Sequence, residues 1–319
     1  CVGDGIQECR NTWEHKKWNI TDFPEFELAI TIDRPELYYD FLQKDWTRFC
    51  HDYWKNNFLE HHTLSQKRVT RIYIGNQFCH NLFPRKELLF QVLEKALENN
   101  LAVTLAFSYI RNHLLEEIDE LLQELEVWCQ SREKEAGKDQ EEIIVNDWAM
   151  PILLQGKPHL KPVLGVLLNK RRKDVRLPYK QGIGNHVDSL AENNLNCGFY
   201  QDYLKNTFDI QRFEFESCGY KVTIPDGHHS LHLPFFQTNT SQYCTLYAVC
   251  RYGDRGKQKL TENCPRYCNK KVFLYPKHLK MVGRYNSLFG YDEKILWDEK
   301  QLQDYLEQGI ERIVVNVSL

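Results

Sequence analysis

Three cysteines fall within a short, basic and polar stretch: Cys250, then thirteen residues, then Cys264-Pro-Arg-Tyr-Cys268. Thiolates this close in sequence are soft ligands that can converge on one metal centre, with a fourth ligand arriving from far away in the chain, as in iron–sulfur sites. The same residues would serve a four-thiolate zinc site, or no metal at all, because free cysteine is among the most buried residue types. The total of eleven cysteines is odd, and the start of the chain shows no charged stretch followed by an apolar one. That predicts a cytosolic protein with reduced thiols, some of them ligands and the rest buried, and no disulfide framework. Cys50, Cys129, Cys197 and Cys218 read as buried apolar side chains, whereas Cys1 and Cys9 take no role.

Other residues suited to chemistry lie at element ends. Asn146 and Asp147 close a strand, where side chains of a barrel face the active rim, although an Asx residue there equally caps a helix beginning near Trp148. Arg171 and Arg172 follow a strand and either grip a carboxylate or phosphate or form a solvated face. His228, His229 and His232 stand at near-alternating positions, a spacing that suits a metal or the polar groups of a substrate. Glu214 and Glu216 share a strand face with Arg212 and read as its ion-pair partners. Neither a local Ser-His-Asp or Cys-His signature nor the radical spacing C-x3-C-x2-C is present.

The elements that must position these groups alternate. Arg71–Gly75, Leu101–Phe107, Glu142–Asp147 and Pro162–Leu168 read as buried strands, separated by amphipathic stretches over Glu87–Asn99 and His113–Lys138. Phe26–Ile32 with a helix through Tyr38–Trp54 adds a unit, and Gln211–Glu216 and Ile313–Val317 are further strands. The prediction is an α/β fold, a parallel β/α barrel of TIM-barrel type with extra terminal segments, because no glycine-rich phosphate loop follows an early strand. Residues 1–68 form an N-terminal extension with the first barrel elements, 69–276 the barrel region bearing the metal, and 277–319 a C-terminal segment packed on it. A strand over Leu246–Cys250 would set Cys244 and Cys250 on one face, so that Cys244 replaces a ligand or binds a second metal. Trp46, Phe49, Tyr53 and Trp54, at helical spacing, form an interface or pack on the barrel. The net charge of -3 argues against bulk attraction to nucleic acid, and no run of eighteen apolar residues predicts a membrane span.

Ile74-Gly75-Asn76-Gln77-Phe78-Cys79 resembles the LGxxxC segment of peptidase family U-thirty-two, the collagenase-like peptidases. The cysteine spacing is similar to that of its iron–sulfur members in anaerobic ubiquinone hydroxylation, and Val145–Trp148 and Leu167–Arg172 look like the same family. The resemblance spans Val69 to Pro276, and the chain departs from it at Cys244 and in lacking a glycine-containing stretch there. It implies a four-iron four-sulfur cluster held by Cys79, Cys250, Cys264 and Cys268, with zinc the alternative. It also implies oxygen-independent, hydroxylation-like modification of an aromatic, RNA or peptide substrate. Asn146, Asp147, Asn169 and His232 would lie on the substrate side, and a partner subunit of the same family is expected. A peptidase, and a non-catalytic iron–sulfur partner or zinc-stabilised binding module, are the alternative functions.

Overall fold

The computed structural model describes residues 2–3, 13–19, 24–136, 140–176, 190–257, 259–261 and 263–317. Its strands are β1 (Val2–Gly3), β2 (Glu27–Ile32), β3 (Arg71–Gly75), β4 (Ala102–Ala106), β5 (Glu141–Val145), β6 (Leu160–Leu164), β7 (Glu214–Glu216), β8 (His229–Leu233), β9 (Phe235–Thr240), β10 (Val272–Leu274), β11 (Met281–Arg284), β12 (Ser287–Tyr291) and β13 (Ile310–Val315). Eight of them pair in the order β6-β5-β4-β3-β2-β13-β8-β7, every pair parallel. A parallel bridge from Leu164 to Phe213 joins the two ends, so the ring closes as the predicted β/α barrel. Along each strand, outward residues such as Ile72 and Ile74 are sealed by helices, and inward residues fill the lumen.

The helices around the ring bury one stripe each. In α1 (Pro35–Gln43) it is Tyr38 and Phe41, in α2 (Trp46–Asn56) Phe49, Tyr53 and Trp54, and in α3 (Lys86–Glu98) Leu89, Val92, Leu93 and Ala96. Helix α4 (Leu115–Ala136) follows β4, α5 (Ala149–Leu153) follows β5, and α6 (Gly198–Phe208) precedes β7. The predicted helix through Tyr38–Trp54 is two helices, because the Asp45 carboxylate accepts from the Arg48 N–H and starts a new one. Of its aromatics, Phe49, Tyr53 and Trp54 are buried in the core and Trp46 packs against it partly buried, the second of the two expected roles.

The lumen has two layers. Ala29, Tyr73, Ala106, Ile144, Val163 and Val314 form a small apolar core. Toward the amino ends of the strands lies an ionic floor that strand periodicity did not announce. Arg312, 2% exposed, donates two hydrogen bonds to Glu142 at 2.6 and 3.1 Å, one to Glu27 at 2.5 Å and one to the Tyr73 hydroxyl at 3.1 Å. Burial raises the Glu142 pKa, but Arg71 and Arg312 overcome it and hold the carboxyl down at about 2.

At the carboxyl end of β8 the chain leaves the ring and builds an antiparallel sheet in the order β1-β10-β11-β12-β9, then returns through α8 (Glu299–Glu307) to β13. The barrel thus runs from Glu27 to Val315, and residues 277–319 supply its closing strand. Leu246–Cys250, expected as a strand, lies in α7 (Thr245–Tyr252), which ends at Gly253 with φ +68°. Among the described residues no helix is long and apolar enough to cross a membrane.

Candidate functional site

The loop after β3 delivers Cys79 to the carboxyl rim. Asn76, buried at the strand end, turns it: its Oδ1 accepts from the N–H groups of Phe78 and Cys79 at 3.0 and 2.9 Å. The excursion after β8 brings three more thiols to the same place, and Cys79, Cys244, Cys264 and Cys268 line one cavity of about 20 Å³. Cys244 precedes α7; its Sγ accepts from the Tyr247 N–H at 3.3 Å and donates to the Tyr285 carbonyl at 3.1 Å. Cys268 sits buried on a turn whose carbonyl accepts from Arg284 Nε at 2.9 Å.

Cys250 does not line this cavity. Because residues 245–252 are helical, a separation of six residues turns the side chain by about 240° relative to Cys244, and the strand argument that put both on one face does not hold. Cys250 packs against the core instead, and the nearby charge it feels is that of Lys271. The cavity thus gathers three of the four predicted cysteines, Cys79, Cys264 and Cys268, together with Cys244, and leaves Cys250 outside it.

Burial pushes the Cys79 thiol up to about 11 and the Cys244 thiol up to about 12, and raises that of Cys268 strongly. Against burial, Arg111 pulls Cys79 down and Arg284 pulls Cys268 down. Among the described residues, the same wall holds three buried polar atoms with no hydrogen-bond partner: Arg111 Nε, Thr261 Oγ1 and Asn286 Oδ1. Each such atom costs about 1–3 kcal/mol, so three on one wall point to a group that completes it. Among the described residues, no three His, Cys, Asp or Glu side chains are arranged to hold a metal ion as they stand. The four thiols share a cavity without closing on a common point.

A second cavity, of about 30 Å³, lies in the barrel mouth and is lined in part by Asp33, Asn76, Glu216 and His232. His232 is 3% exposed; its Nε2 meets Glu214 Oε2 at 2.5 Å, and Tyr73 donates to Glu214 Oε1 at 3.0 Å. Burial would raise Glu214, but the hydrogen bond and charge of His232 and the charge of Arg312 outweigh it and hold the carboxyl low. The other histidines part from it. His229 stacks on Phe213, with burial pushing it down to about 4, and His228 lies exposed beside Glu311. Glu214 and Glu216 do not pair with Arg212, which bonds to Glu311; Glu216 pairs with Lys173 at 2.6 Å.

Asn146, Asp147 and Asn169 line an open cleft of about 550 Å³ beside the mouth. Asn146 is a clamp: its Nδ2 donates to the Phe107 carbonyl at 2.7 Å and its Oδ1 accepts from the Leu167 N–H at 3.1 Å. Asp147 Oδ1 accepts from Ala149 and Met150 N–H groups at 3.0 and 3.1 Å, the capping role weighed from sequence. Asn169 donates to the Glu214 carbonyl at 3.1 Å, and its buried Oδ1 has no partner among the described residues. Arg171 is no solvated residue: it is buried, and donates to Cys218 Sγ and the Glu216 carbonyl. Cys129 and Cys218 are buried as expected and Cys50 partly so, whereas Cys197 is exposed; Cys1 and Cys9 lie outside the described residues.

The three spaces adjoin. Val166 lines both mouth and cleft, and Tyr109 in the cleft wall accepts from Asn286 of the cysteine cavity at 3.0 Å. Set against protein-family models, curated proteins and solved structures, the chain matches none.

Proposed function

We propose that this chain is an iron–sulfur barrel protein in which Cys79, Cys244, Cys264 and Cys268 hold a four-iron four-sulfur cluster at the rim. In this reading it supports oxygen-independent modification of a substrate seated in the adjoining cleft. The observation that carries the proposal is the convergence of four thiols, from three separate segments, on a wall with three unsatisfied polar atoms. Four buried thiols alone would be ordinary small apolar side chains. Burial raises the thiols of Cys79 and Cys268, and Arg111 and Arg284 beside them act against it, toward the thiolate that ligates. The resemblance of the Ile74–Cys79 segment to family U-thirty-two supports the same assignment, with Cys244 as the departure from that pattern.

Such a cluster supplies one-electron chemistry when bound. The chain's own part is to hold its ligands and to bind and orient the substrate. Asn76 fixes the Cys79 backbone, Cys244 is anchored between Tyr247 and Tyr285, and Asn169 offers an unpaired acceptor in the cleft. The test is metal and sulfide analysis of protein purified without oxygen. Iron and sulfide in equal amounts, with a broad visible absorbance, support the reading; zinc alone makes the same thiols a structural metal site, and no metal ends it.

A further inference from the structure

We propose that the barrel mouth binds a primary amine group of a substrate and that His232 there takes its proton, with Glu214 as the positioning residue. The mouth adjoins the cysteine cavity through the Asp33–Tyr285 contact, but none of the four thiols lines it and the proposal does not depend on a metal being bound there. Three observations carry it. First, two carboxylates, Asp33 and Glu216, stand in the cavity wall, and Asp33 Oδ1 is buried without a hydrogen-bond partner among the described residues, while its Oδ2 accepts from the Tyr285 hydroxyl at 3.3 Å. A buried carboxylate oxygen left unpaired calls for a donor from outside the chain. Second, no Lys or Arg lines the cavity; Lys173 beside it is occupied by Glu216, and Arg312, which reaches the Tyr73 hydroxyl, is occupied by Glu142 and Glu27. The field there favours a cation and disfavours a carboxylate or phosphate. Third, His232 lines the cavity with Nε2 committed to Glu214, so Nδ1, which has no partner among the described residues, is the nitrogen left to act.

The volume of about 30 Å³ suits a single small polar head and excludes a ring. In the step, an N–H bond of the ammonium breaks and its electron pair remains on nitrogen as the lone pair of the amine. The proton bonds to His232 Nδ1. The imidazolium so formed keeps its Nε2–H on Glu214, whose charge balances it, and Tyr73 holds the far oxygen of that carboxylate.

Histidine ring nitrogens labelled with nitrogen-15, followed by NMR in the whole protein, test this with methylammonium chloride as the probe and sodium acetate as the control. The expected result is a saturable shift of the His232 nitrogens with methylammonium and none with acetate. Asp33→Asn should weaken the methylammonium effect by about tenfold. Glu214→Gln should shift the tautomer balance of His232 in the probe-free protein, a change that loss of packing alone does not produce. If methylammonium leaves His232 unmoved in the unaltered protein, or acetate moves it equally, the proposal is overturned.

Discussion

The Tyr285 hydroxyl donates to the Asp33 carboxylate at 3.3 Å, and this contact ties the wall of the cysteine cavity to the wall of the barrel mouth. Tyr285→Phe removes the tie without removing a thiol. Metal content is expected to remain at the level of the unaltered protein, with a loss of about 1 kcal/mol in urea unfolding. A fall in metal content would instead give the hydroxyl a part in holding the cysteine wall.

Arg312→Met should be among the most damaging single changes in the barrel. Arg312 faces Glu142 and Glu27 in the floor of the lumen, and its removal takes away their shortest ion pairs and leaves them to Arg71, 2.9 Å from Glu27 and 3.4 Å from Glu142. The expected cost is about 3–5 kcal/mol, read from denaturant unfolding at neutral pH. Glu142, with its carboxyl held near 2, contributes stability that is present above the ordinary glutamate range and lost as pH falls toward 2. In the Arg312→Met protein that acid limb should flatten.

His62 gives a pH dependence of its own. It is buried, accepts at Nδ1 from the Leu64 N–H and places Nε2 2.8 Å from the Leu296 carbonyl; burial pushes its pKa down to about 4. The unfolded chain takes up this proton below about 6.5 while the folded chain resists it down to about 4, so stability falls as pH is lowered through that window. The contribution is on the order of 3 kcal/mol. Urea midpoints at pH 7 and pH 5 should differ less in His62→Gln than in the unaltered protein.

Gly165 makes room for the Asn146 amide, into which an added Cβ would run. Gly165→Ala should displace that clamp and cost about 1–3 kcal/mol. Loss of the Asn146 side-chain contacts to Phe107 and Leu167, seen as faster amide exchange at Leu167, would accompany it.

The barrel was legible because its strands, covered on the outside by helices, read as apolar runs between amphipathic stretches, and Ile72 and Ile74 are typical of them. Cys264 and Cys268 were legible by spacing, and Cys79 by the resemblance of the Ile74–Cys79 segment at the end of a strand. Cys244 was singled out as a replacement ligand, but through a strand that is a helix, because a short apolar run such as Leu246–Val249 fits strand and helix alike; Gly253, which ends α7, was the signal that favoured the helix. The ionic floor was hidden for another reason. Glu142 and Arg312 are charged residues on strands, which sequence periodicity assigns to solvent, yet inside a ring they face one another. Asp33, Glu214 and Tyr285 belong to segments distant in sequence, and their roles exist only once the ring has closed.

The central claim is tested most directly by measuring iron and sulfide, after oxygen-free purification, in Cys244→Ala and Cys250→Ala side by side. Cys244→Ala should lose most of both, and Cys250→Ala should keep them at the level of the unaltered protein. Depletion in Cys250→Ala with retention in Cys244→Ala would contradict the account.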